Sequence, residues 1–291
     1  MIPAAQRVRD ALAFEPVLVA GLTFVPPEVI RELRWGVGGG PGLLAVACTR
    51  LELDFIFVPS WEPWAEEALD RVAACGVAPL WVVQGPLGVI AESEGWSETL
   101  RSSAADPDGL GRRMGEIMPS LREKVRRGVG LGATAIVVAD DLAGADGPLV
   151  APDFALDQIL PRTGSMAAEA AEHAVPAIFH SDGDVRWAVP ALRRQGFAAV
   201  HPGGLTGSAF DAFAEVCREH DLAVLGGLSR GTLAAGGPAV LRAAASASVR
   251  TLQGGLLISD DGGISTSTEL ASLVTAIQAL RSASRGESKG E

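Results

Sequence analysis

The chain has 291 residues, 48% of them hydrophobic and 20% charged, with a formal net charge of −11. That is ample apolar material for a large core, and an acidic chain offers no footprint for the phosphate backbone of nucleic acid. No apolar run reaches the roughly 18–20 residues of a membrane helix, and Arg7, Arg9, Asp10 and Glu15 stand where a secretion signal is apolar, so a cytoplasmic protein with no membrane partner is expected.

Short apolar runs recur along the chain at 17–22, 55–60, 80–85, 135–140, 177–182, 198–203, 223–228 and 256–261. Runs apolar on both faces suit parallel strands covered by helices, and the amphipathic pieces between them complete β/α units. After the first run, GVGGGPG (36–42) lies between helical segments and lacks the spacing of a dinucleotide-binding turn. It reads as a loop or helix boundary, with phosphate binding as the second reading. Cys48, Cys75 and Cys217 sit in apolar surroundings, and all three are expected to be reduced, buried packing residues.

A long helix is predicted from Asp106 as N-cap, through Pro107 in the first turn, to Gly128 and Gly130. Its basic cluster, 112–127, is interleaved with acids and reads as a solvated face. The helix within 151–175 is expected to break near Pro161, and the last helix is capped by Ser265 or Thr266. Eight such units over 1–291 predict a single-domain (β/α)8 barrel with a frayed tail at 285–291; a doubly wound open sheet is the alternative.

Barrel active sites are built at the C-terminal ends of the strands. The residues ending the eight runs are Thr23 with Phe24, Ser60 with Trp61 and Trp64, Gln84, the pair Asp140 and Asp141, His180 with Asp182, His201, Ser229 with Arg230, and the pair Asp260 and Asp261. Carboxylates brought together in a half-buried mouth repel one another unless a cation, a shared proton or an arginine compensates, and Arg50, Arg186 and Arg230 are too few to pair with them all. His180 and Asp182, two positions apart on a strand, offer an imidazole nitrogen and a carboxylate oxygen to a zinc ion, with Asp261 as a further candidate ligand. The competing reading makes Asp182 a turn cap and gives His180 a hydrogen bond to a neighbouring carboxylate; Asp140 and Asp261 also suit helix N-caps.

The stretches VVQGPLGV (82–89), VADDLAGADGPLVAPDFALDQILP (138–161), PAIFHSDGDV (176–185), LRRQGFAAVHPGG (192–204), LAVLGGLSRGTLAAGG (222–237) and GGLLISDDGGI (254–264) resemble the uroporphyrinogen decarboxylase superfamily, which includes barrel methyltransferases that pass methyl groups to or from corrinoid proteins. The resemblance covers about residues 80 to 280 and implies the same (β/α)8 fold. Segment 16–27 has no arginine of the kind that holds substrate carboxylates in the decarboxylases. Where the thiol-activating methyltransferases have a His-x-Cys zinc motif and a distant cysteine, this chain has His180, Asp182 and, near the distant position, Asp261 or Gly262. The resemblance thus implies transfer of a methyl group between a small O- or N-methylated substrate and a corrinoid protein, with an oxygen-rich zinc site. Candidate catalytic residues are Asp141, as ligand or proton shuttle, Asp140 and His201; Thr23, Phe24, Ser60, Trp61, Gln84 and Arg230 are candidate substrate contacts. The alternatives are a metal-free decarboxylase or lyase with Asp140 or Asp141 as general acid, and a barrel that binds a small molecule or partner without catalysis.

Overall fold

The computed structural model describes residues 2–35 and 39–284. The tail expected at 285–291 and residues 36–38 of the glycine-rich stretch lie outside the described residues.

The strands in chain order are β1 (Gly21–Leu22), β2 (Phe55–Pro59), β3 (Ala78–Gln84), β4 (Ala135–Ala139), β5 (Ala143–Gly144), β6 (Gly147–Pro148), β7 (Ala177–Asp182), β8 (Ala199–Gly203), β9 (Ala223–Leu228) and β10 (Leu256–Asp260). Eight of them form one sheet in the order β1-β2-β3-β4-β7-β8-β9-β10, every pair parallel. A parallel bridge between Ala20 and Ile258 and the bond from the Ile258 N–H to the Val19 carbonyl, 2.9 Å, join the last strand to the first. The (β/α)8 barrel expected from the apolar runs is the observed fold, and each of the eight runs supplies one of its strands.

The first strand is shorter than its run, 17–22, because a side chain takes over part of the ladder: the Ala20 N–H donates to Asp54 Oδ2 at 2.8 Å, and the Asp54 N–H donates to the Ala20 carbonyl at 2.8 Å. The antiparallel hairpin of β5 and β6 follows β4 and was not foreseen, since two-residue strands leave no periodic pattern to read.

Alternation along each strand divides the core in two. Phe55, Phe57, Leu80, Val82, Val137 and Ile178 fill the barrel interior together with Val8, Ala11 and Leu12 of the first helix, Ala4–Leu12, which plugs the N-terminal end. Ile56, Val58, Ile136 and Val138 face outward into the larger cluster under the helices.

The helix Pro107–Gly130 starts as expected, with the Asp106 carboxylate accepting from the Gly109 N–H at 3.0 Å. Its basic face is solvated and paired, Arg126 with Glu123 and Glu169, Arg127 with Glu66. The expected break near Pro161 does not occur. A π-turn over Ala155–Ile159 leads straight into the helix Leu160–Ala171, and this one wide turn accommodates a proline that cannot donate a backbone hydrogen bond. Thr266 caps the last helix: its hydroxyl accepts from the Glu269 N–H, while the Glu269 carboxylate accepts from the Ser265 and Thr266 N–H groups. Cys48 and Cys217 are buried, but Cys75 is exposed, because it sits at the C-cap of the helix Ala65–Ala74, where the apolar stripe has ended.

Candidate active site

At the C-terminal mouth the ends of β4 and β7 bring Asp141, His180 and Asp182 together, with one ligand atom of each within 4.8 Å of the others. His180 Nε2 lies 4.0 Å from Asp182 Oδ1, and Asp141 Oδ1 accepts the Asp182 backbone N–H at 2.9 Å. Gly183 follows in the left-handed region at φ +74°, and a Cβ there would lie 2.5 Å from the Gly144 carbonyl oxygen. The hairpin of β5 and β6 thus leans onto the turn that carries Asp182, and only glycine lets the two backbones meet.

Two histidines form a directed chain beneath this group. His201, fully buried on β8, has Nε2 3.1 Å from the Asp260 carbonyl, so that nitrogen carries a hydrogen. Burial pushes the His201 imidazole down to about 3, with the neighbouring His180 adding to the shift, so the ring is neutral and its Nδ1 is a bare acceptor. His180 Nδ1 faces it at 2.9 Å and lies 3.2 Å from the His201 carbonyl oxygen. The hydrogen of His180 is thereby assigned to Nδ1, and the lone pair of a neutral His180 to Nε2, on the Asp182 side.

The acids sort by partner. Asp140, 1% exposed, turns away from the mouth and accepts the Leu87 and Gly88 N–H groups at 3.2 and 2.8 Å, the first turn of the helix Pro86–Glu94. Burial raises its carboxyl to about 7 against those two bonds. Asp260 accepts the Thr23 N–H at 2.8 Å and the Gly263 N–H at 2.6 Å, and the Thr23 hydroxyl also donates to it. Asp261 accepts the Arg230 N–H at 2.9 Å and is raised to about 6, chiefly by burial. It lies outside the three-residue group at His180. The Arg230 side chain pairs with Glu269 at 2.9 Å, and Arg186 pairs with Asp184. Asp182, by contrast, is held above the usual carboxylate range by burial, opposed by His180 and reinforced by the charge of Asp141.

Two neighbouring lobes that share Phe24 and Trp61 as lining lie beside this group. The lobe at the metal-compatible residues, about 210 Å³, is lined by Gln84, Glu92, Trp96, Asp141 and His180. The second, about 380 Å³, is walled by Phe57, Trp61, Trp64, Glu28 and Glu62. Phe24 and Trp61 line both, their rings stacked at 6.2 Å between centroids. Phe24, Trp61 and Gln84 therefore stand where substrate contacts were expected, whereas Thr23 and Arg230 line neither lobe and are engaged by Asp260 and Glu269. The Ser60 hydroxyl is buried with no hydrogen-bond partner among the described residues.

Sequence reading missed Glu92, Trp96, Glu28 and Glu62. For Glu92 a signal exists: Gly88 and Glu92 are four apart in the helix that starts at Pro86, so a helix that begins at the mouth places both on the mouth side. The two glutamates of the larger lobe sit at helix starts and loops, where acids are ordinary.

No family model matches the chain, and no curated protein matches it. Among solved structures it is similar to a methyltransferase from Methanosarcina mazei, with a TM-score of 0.74 and 18% identity over 97% of this chain and 100% of that one. It is also similar to D-psicose 3-epimerase from Clostridium cellulolyticum H10, TM-score 0.51, 10% identity, 92% and 99% covered, and to tryptophan synthase from M. tuberculosis, TM-score 0.50, 12% identity, 96% and 99% covered. The chain shares its barrel with enzymes, a methyltransferase among them. At these identities the likeness is one of fold.

Proposed function

We propose that the protein is a methyltransferase that moves a methyl group between a small O- or N-methylated substrate and a corrinoid carried by a separate protein, with a divalent cation, zinc by its donor set, held by His180, Asp182 and Asp141. The observation that carries this reading is the group of one imidazole and two carboxylates within 4.8 Å, near which Arg186 and Arg230 are engaged by other acids. Imidazole nitrogen with carboxylate oxygen is a donor set zinc accepts, and the bare His180 Nε2 is the ligand form of histidine.

When bound there, such an ion acts as a Lewis acid on the heteroatom that bears the methyl group and lowers the charge that develops as it leaves. The chain's own residues do the rest. His201, fixed by the Asp260 carbonyl, orients the His180 ring through Nδ1 and turns Nε2 toward Asp182, the kind of outer contact that sets a ligand's tautomer and orientation. The Asp182 N–H holds Asp141 in place through Oδ1, leaving the other carboxylate oxygen for the ion or for a proton. Phe24 and Trp61 exclude water from one side of the reacting group. Trp61 and Trp96 at the rim of the mouth are 43% and 38% exposed, which supports approach of a second protein carrying the corrinoid.

Elemental analysis of the purified protein tests this: about one zinc per chain is expected, lost in both His180→Ala and Asp182→Ala. Anaerobic methyl-transfer assays with a corrinoid protein follow. A wild-type chain that takes up no divalent ion after zinc incubation would overturn the reading.

A further inference from the structure

The larger lobe of the cleft is aromatic and acidic at once. Trp61, Trp64 and Phe24 line a space of about 380 Å³, Glu28 and Glu62 are the charged groups on its wall, and among the described residues no lysine or arginine lines it. The neighbouring lobe adds Glu92 and Asp141, and among the described residues that line it His180 is the one basic group. Aromatic faces carry negative potential and attract organic cations, most strongly those whose charge is spread over alkyl groups and is cheaply desolvated. Carboxylates beside those faces reinforce the field, and a substrate bearing its own carboxylate would meet them unpaired. The walls are fixed. Trp64 lies against the start of the helix Gly40–Leu51, where a Cβ on Gly40 would come within 2.6 Å of the indole, and Phe24 is held edge-on by Phe57 with centroids 5.4 Å apart. Trp61 keeps 43% of its surface exposed although Phe24 covers it on one side.

We propose that this lobe binds an alkylated ammonium group, so that the substrate is a small organic cation anchored by Trp61, Trp64, Phe24 and the two glutamates. This rests on the reading of the cleft as the substrate site. The Phe24 ring is 6.1 Å from the His180 ring, so a short linker separates the anchored head from a methyl-bearing heteroatom at His180. The head group is bound as it stands; the atom that reacts is at the other end of the molecule.

Calorimetric titration of the metal-free protein tests the proposal with three probes: choline, its uncharged carbon isostere 3,3-dimethylbutan-1-ol, and 4-methoxybenzoate as an anion of similar bulk. Choline should bind at least about tenfold more tightly than the isostere, and the anion not measurably, in keeping with the size of a partly desolvated cation–π contact. Trp61→Leu and Glu62→Gln should each weaken choline several-fold while leaving the isostere within about twofold. Trp61 is exposed and Glu62 half-buried, and thermal unfolding verifies that the variants fold. Equal affinity for choline and the isostere, or preference for the anion, overturns the proposal. Because no metal is present, failure here with zinc still bound by His180 and Asp182 removes the cation and leaves the metal reading, whereas choline binding without zinc uptake does the reverse.

Discussion

The two ends of the barrel treat buried acid in opposite ways. At the N-terminal end Asp54, fully buried, is met on both oxygens: Arg7 of the first helix donates to Oδ1 with Nε at 3.0 Å, the Ala20 N–H reaches Oδ2 at 2.8 Å, and Arg281 of the last helix reaches Oδ2 at 2.6 Å. At the C-terminal end Asp141 and Asp182 lie beside one another and His180, while Arg186 and Arg230 pair with Asp184 and Glu269 instead. One end is electrostatically finished. The other is left for something to complete, which is how stability and function divide between the two faces of such a barrel.

The contrast makes measurable claims. The largest effect should come from the finished end: Asp54→Ala takes a buried acceptor from Arg7, Arg281 and the Ala20 N–H, and should cost about 3–5 kcal/mol in denaturant unfolding. An unchanged midpoint would mean that this end does not hold the barrel. Next is Gly85→Ala, whose new Cβ would fall 2.3 Å from Asp140 Cβ and Cγ; overpacking at a buried carboxylate should lower stability by about 1–3 kcal/mol, and an alanine tolerated without loss would show that Asp140 has room to move toward the mouth.

The pH dependence of the metal-free chain sharpens the comparison further. Asp261 holds its proton up to about 6 in the folded protein, against 3.8 ordinarily, so between those values the native state binds more protons than the unfolded one. Its contribution to stability is therefore greatest below about 4 and declines as pH rises through about 6. Asp261→Asn should remove that decline, a difference on the order of 1 kcal/mol between pH 5 and 7; parallel curves would place the titration elsewhere. The smallest effect belongs to the unfinished end. Asp182→Asn relieves like charge at a half-exposed site and should leave stability unchanged or higher by about 0.5 kcal/mol, while abolishing zinc uptake. A loss as large as that of Asp54→Ala would show Asp182 to be structural.

This division bears on what the sequence could disclose. Strand positions were legible because a strand covered on both faces must be apolar along its length, and the barrel followed from their number. Helix starts were legible at Asp106 and Thr266 because capping chemistry is local. The break wrongly expected at Pro161 came from applying a rule for regular helices where a π-turn intervenes. At the mouth, reading the residue after each run brought Asp141, His180 and Asp182 into view but gave no means of ranking the acids. Asp140 and Asp141 are neighbours in sequence and look alike there; in space one caps the helix at Pro86 and the other faces the cleft. The bond of His201 to His180 depends on the register of β7 against β8, in which the two stand opposite each other, and register is invisible to a pattern of apolar runs.

Asp54 and Arg281 are 227 positions apart, and the sheet's remaining seam, Ala20 to Ile258, spans nearly the same stretch of chain. During synthesis the first strand therefore waits with one open edge until the last strand and helix have emerged from the ribosome, and unpaired edges are what recruit wrong partners. The Arg281 contact to Asp54 can form only once the last helix is present, so slow refolding and aggregation at high concentration are the expected signature of a change that loosens this closure.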